Sequence, residues 1–148
     1  MSVFNFTELV HDPLAQTESA ALGADADNPF VEADVGKIVK VAASSNYILG
    51  TAGDEIEGFV VSIEPYTVND GWSFGAVQRN GRKIVEVGTT EASTVVPGDL
   101  VVCDTQAALG TAGLPQVQSG APTTFLWRCI RVVSGTGASG DTVLIERV

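Results

Sequence analysis

The residues that could do chemistry are few. The chain holds one histidine, His11, and a nucleophile, base and acid arrangement would have to be assembled around it. His11 lies in an irregular acidic stretch, where a half-exposed surface residue is the plainer reading. Cys103 and Cys129 both sit inside apolar runs and read as small buried hydrophobes. A disulfide between them needs an oxidising compartment, and their spacing matches no zinc pattern. Asp25-Ala26-Asp27-Asn28 offers oxygen ligands but lacks the glycine and distal Glu of a calcium loop. Asp54-Glu55-Ile56-Glu57 gathers three carboxylates in one short stretch, yet glycoside hydrolysis needs two carboxylates facing each other across a cleft. Gly135-Thr136-Gly137-Ala138-Ser139-Gly140 spells the glycine spacing of a dinucleotide loop, but no helix follows it, so it reads as a hairpin loop. The expectation is a protein that is not an enzyme and holds neither cofactor nor metal.

Charge excludes another class. The formal net charge is −10, against a nucleic-acid binder, whose affinity comes from Lys and Arg on phosphates. Glu8, Asp12, Glu18, Asp25, Asp27, Glu32 and Asp34 all precede Lys37, the first cation of the chain. No apolar run is long enough to span a membrane, and Met1 to Phe6 lacks the basic and apolar regions of a secretory signal.

With 148 residues, 45% of them hydrophobic, the chain can bury a core without staples. Its apolar runs are short and cut by 16 glycines and 6 prolines, without sustained helical spacing, which is the pattern of an all-β protein. Residues 1–34 are expected to be an irregular N-terminal arm. Its Val3, Phe4, Phe6, Leu9, Val10 and Leu14 are too apolar for a solvated tail and are the candidate partner interface. Residues 35–148 are expected to be the β body. Strands are expected over 37–42, 59–63, 100–103, 125–133 and 142–148, with 110–122 a long surface loop. In the 125–133 strand, Phe125, Trp127, Cys129 and Val133 should share one face.

The pentapeptide Leu-Gly-Thr-Ala-Gly occurs twice, at 49–53 and 109–113, each copy between apolar runs. Gly36 and Gly98 lead the two units, and they lie slightly farther apart than Leu49 and Leu109, which open the pentapeptides. An old duplication and two solutions to the same turn both account for this. Between 72–78 and 83–87 lies Arg79-Asn80-Gly81-Arg82, where Asn-Gly predicts a type I′ β-hairpin with Arg79 opposite Arg82 and Gln78 opposite Lys83. Arg79, Arg82 and Lys83 would then crowd one hairpin tip; a solvated tip is the plainer reading, and like charges placed opposite each other make an acidic partner the competing one.

Gly36-Lys37-Ile38-Val39-Lys40-Val41, then Thr51-Ala52-Gly53-Asp54, then Gly58-Phe59-Val60-Val61, resembles the capsid decoration (cement) proteins of tailed bacteriophages. Pro97-Gly98-Asp99-Leu100-Val101 repeats the first part of that pattern. The resemblance covers residues 35–148 and implies a compact β-barrel or β-tulip body on the outer face of the virion. There it would bridge neighbouring major capsid protein subunits, often as a homotrimer, with an N-terminal arm inserted between shell subunits. The competing reading is a receptor- or carbohydrate-binding β module of a head or tail fibre, with Trp72, Tyr66 and Tyr47 stacking on sugar.

Overall fold

A computed structural model describes residues 17–23, 29–64, 73–89 and 94–148. The chain is all-β, as expected, and among the described residues ten strands close into two five-stranded barrels. The first contains β1 (Thr17–Leu22), β2 (Ile38–Val41), β3 (Tyr47–Leu49), β4 (Gly58–Ile63) and β5 (Ser73–Gln78). The second contains β6 (Arg82–Val87), β7 (Leu100–Cys103), β8 (Gln116–Ser119), β9 (Trp127–Ser134) and β10 (Thr142–Arg147).

One topology is used twice. In the first barrel β1 runs parallel to β3 and antiparallel to β5, while β2 pairs with β3 and β4. In the second, β6 runs parallel to β8 and antiparallel to β10, while β7 pairs with β8 and β9. The starts of β3, β4 and β5 (Tyr47, Gly58 and Ser73) precede those of β8, β9 and β10 (Gln116, Trp127 and Thr142) by one constant offset. That offset is longer than the one separating Ile38 of β2 from Leu100 of β7. The extra chain lies in the connection from β7 to β8. That connection contains the second Leu-Gly-Thr-Ala-Gly, whereas the first copy starts on the last residue of β3. The pentapeptides therefore occupy different places in the repeat, and the leading glycines, Gly36 and Gly98, mark the equivalent positions.

Four expectations are corrected. Thr17–Leu22 is a barrel strand, so the arm cannot extend to residue 34. Its sequence, Thr-Glu-Ser-Ala-Ala-Leu, is poor in the branched and aromatic residues that mark a strand. β3 and β8 were hidden in stretches read as turn and loop. β8 carries one inward apolar side chain, Val117, among Gln and Ser. The third correction concerns β9, where Ile130 and Val133 are extra residues relative to β10. Arg131 pairs with Leu144 and Cys129 with Ile145, and farther along Ser134 pairs with Thr142 and Val132 with Val143. These bulges shift the alternation, so Val132 packs on the core and Val133 is 44% exposed.

The last correction is the hairpin. β5 is paired on both sides by β1 and β4, and β6 by β8 and β10. Closure satisfies every strand edge, leaving none for β5 to offer β6. Residues 79–81 instead carry the chain from one barrel to the other. Gly81 has φ +89°, but Asn80 does not have the positive φ that a type I′ turn needs.

The core binds the barrels together. Leu22, Phe30, Val39, Tyr47, Val60 and Val77 fill the first barrel. Ile38 and Phe59 are paired neighbours on its outer side, and with Ile56 they join the core of the second barrel instead. There the Phe59 ring meets Trp127 edge-on, with centroids 5.2 Å apart. The Trp127 indole N–H donates to the Ile56 carbonyl at 3.0 Å. Cys103 and Cys129 are free and buried, and burial, with the Asp54 carboxylate nearby, pushes the Cys103 thiol up to about 12.

Candidate functional site

Carboxylates organise loops and turns in both barrels. Four turns among the described residues use the same device. An Asp donates its backbone N–H to the carbonyl three residues earlier, and its carboxylate accepts that residue's N–H. The pairs are Val31 with Asp34, Thr51 with Asp54, Val96 with Asp99, and Ala138 with Asp141. In the last three a glycine precedes the Asp, with φ between 88° and 99°, which a left-handed turn position favours. Lys40 adds an ammonium 2.6 Å from Asp54, and Lys37 pairs with Asp34 at 2.8 Å.

Both Leu-Gly-Thr-Ala-Gly copies do the same chemical work despite their different topological places. In the first, Thr51 donates its N–H and hydroxyl to Asp54 at 2.8 and 2.7 Å. In the second, Thr111 donates its N–H and hydroxyl to Glu86 at 3.3 Å, and the Ala112 N–H donates at 2.9 Å. Glu86 is only 2% exposed, so those donors replace the water it has lost.

Residues 51–57 form a clasp between the barrels. Gly53 N–H donates to the Cys103 carbonyl at 2.9 Å, and Cys103 N–H donates to the Asp54 carbonyl at 2.8 Å. The next residue, Glu55, reaches across to the N–H groups of Thr123, Thr124 and Phe125. On the other side of the seam, the Gln106 amide accepts from the Ile38 N–H at 2.9 Å. A cleft of about 440 Å³ opens here, lined by Leu49, Gly50, Thr51, Ala52, Thr105, Gln106 and Ala107. The Gln106 amide N–H groups are committed to the Asp104, Thr105 and Gln116 carbonyls, leaving the cleft an apolar lining.

These bonds set the pH response. Hydrogen bonds from Thr123 and Phe125 hold Glu55 below its ordinary 4.5, and those from the 136–138 turn hold Asp141 below 3.8. Burial raises Asp54, but Lys40 and Thr51 outweigh it and bring it below 3.8. Each group binds its proton less readily folded than unfolded. The stability it contributes is full above its ordinary value and is lost as pH falls through its lower folded value. Thermal midpoints should therefore drop below about pH 4. Glu55→Gln should lower the midpoint at pH 7 and shrink the acid-induced drop; a variant with an unchanged acid limb would remove Glu55 from the clasp.

The sequence-predicted site residues divide. Val3, Phe4, Phe6, Leu9, Val10 and Leu14, with His11, Asp25, Asp27, Tyr66 and Trp72, lie outside the described residues. Tyr47, a candidate sugar platform, is 2% exposed in the first barrel's core. Arg79, Arg82 and Lys83 do not form a tip. The Lys83 ammonium sits 5.5 Å from the Phe59 ring centroid, and burial lowers its pKa. Arg79 lies near Arg147, whose guanidinium stacks 5.0 Å from the Phe125 ring centroid. Arg82 takes the outer face of β6, in register with Glu146 on β10 and, across it, Arg128 on β9. Arg131 follows on the same face, in register with Leu144 and Ile84. Sequence reading missed Arg128 and Arg131. They are three apart, so strict alternation puts them on opposite faces, and only the bulge at Ile130 brings them together.

Two closed barrels that share core residues and carry carboxylate-held turns define an all-β module. Compared with protein-family models, curated proteins and solved structures, the chain has no match.

Proposed function

We propose that this chain is a structural capsid decoration protein. It binds the outer surface of a tailed-phage head and bridges neighbouring major capsid protein subunits. The observation that carries the reading is the use of the carboxylates. Asp54, Glu55, Glu86 and Asp141, the groups a catalytic site would draw on, each hold backbone N–H groups of loops and turns in place. Residues so committed build a stiff body with closed edges, which suits a clamp that must resist deformation. The Gly-led strands and the Thr-Ala-Gly-Asp turn that carry the resemblance are β2, β4, β7 and the clasp itself.

The apolar N-terminal residues are the proposed shell contact. Because β1 begins at Thr17, the informative truncation removes residues 2–16 and leaves both barrels whole. The truncated chain should unfold like the full chain but no longer co-sediment with heads. Head binding as tight as that of the full chain would remove the arm from the contact.

A further inference from the structure

Lys37 and Lys40 are paired with Asp34 and Asp54. The other six of the chain's eight cations all lie in residues 79–148. Five of them gather at one end of the second barrel, where β6 and β9 start and β10 stops. Arg82 and Arg128 are exposed on the outer face there, with Glu146 between them. Lys83 and Arg147 take the opposite face, in register with buried Ile145 and buried Trp127. The two are diagonal neighbours, about 7–8 Å apart at the backbone. Each lies over a ring at the seam between the barrels. The Lys83 Nζ is 5.5 Å from the Phe59 centroid, and the Arg147 Cζ is 5.0 Å from the Phe125 centroid. Arg79, just before β6, passes Gly58, where a Cβ would lie 3.7 Å from its Cγ. All three cations are half-buried. Burial, then Arg79, lowers the pKa of Arg147, and burial lowers that of Lys83. Among the described residues, no carboxylate lies within ion-pair distance of Lys83 or Arg147.

Two partly desolvated cations side by side without an ion pair destabilise the fold that holds them. The rings fix their positions by cation–π attraction. A guanidinium lying over a ring keeps its edge N–H donors, a fork that matches a carboxylate or a phosphate. The surrounding charges separate these two ligands. Glu55 and Glu57 are near enough to act on Arg147, and they repel a dianion about twice as strongly as a monoanion. Glu55 is itself committed to the N–H groups of residues 123–125. We propose that Lys83 and Arg147, with Arg79 beside them, bind a carboxylate of an acidic segment presented by another protein. Arg82 and Arg128, on the outer face of the same strand ends, extend the positive potential to neighbouring carboxylates of that segment. The fold thus brings Arg79 and Lys83 to Arg147 and Arg128, which lie far from them in sequence. The inference goes beyond the decoration role and stands without it.

Calorimetric titration of the full chain with hexaglutamate at about 0.1 M salt tests it. Binding should saturate, and Lys83→Met and Arg147→Gln should each weaken it about tenfold. Arg131→Gln removes a cation outside the site and should leave binding unchanged. Lys83→Met should also raise the urea midpoint, because methionine keeps the contact with Phe59 and removes the desolvated charge. Stability gained while binding is lost marks a residue held for function, and a structural lysine would lose stability instead. Circular dichroism confirms that every variant is folded. A full chain that hexaglutamate does not saturate overturns the proposal. So does Lys83→Met binding as tightly as the unaltered chain or lowering the midpoint, or Arg131→Gln losing as much binding as Lys83→Met. Displacement of the peptide by an equal concentration of inorganic phosphate would overturn the choice of carboxylate. Head binding by the same proteins is a separate readout, so failure of this site is distinguishable from failure of the decoration role.

Discussion

Replacing Trp127 with alanine should lower stability by about 3–5 kcal/mol, the range for removing a large buried aromatic. Trp127 is fully buried, and it is where the barrels meet: its ring touches Phe59 of the first barrel and its N–H satisfies the Ile56 carbonyl. The substitution leaves a cavity and an unpaired carbonyl at once. Because Ile38, Ile56 and Phe59 belong to the second barrel's core, the unaltered chain should unfold in one transition followed identically by all probes. Urea titration followed by circular dichroism checks both statements. A loss below about 1 kcal/mol would mean that the barrels do not depend on this contact.

Gly110→Ala is expected to cost about 2–4 kcal/mol, far more than an exposed loop substitution normally does. A Cβ there would lie 2.3 Å from the Glu86 carboxylate, which cannot retreat without leaving the Thr111 and Ala112 donors. A buried carboxylate deprived of its donors is the expensive outcome. The cost should therefore vanish in a Glu86→Ala background, where the clashing group is gone. Full additivity in that double-mutant cycle would show that the glycine is needed for some other reason.

The all-β class, the strands over β2, β4, β7, β9 and β10, and the Gly-Asp turns were legible because branched apolar runs and glycines have direct backbone meanings. What escaped was non-local. Val117 alone cannot announce β8, and nothing in Thr-Glu-Ser-Ala-Ala-Leu announces β1; both strands exist because a barrel must close. Asn80-Gly81 carries a strong local signal for a hairpin, and closure overrode it. The doubled pentapeptide was visible as a repeat, but its work was not, since Glu86 and Thr111 meet only after folding. The arginine face was hidden by a bulge that no local rule would place at Ile130.

The proposed decoration role meets its test on assembled phage heads. Co-sedimentation with assembled heads stripped of their outer proteins tests it most directly, with copy number read from a stained gel. The decoration role predicts saturable binding in a fixed ratio to the major capsid subunit. Absence from the pelleted heads at saturating concentration would contradict it.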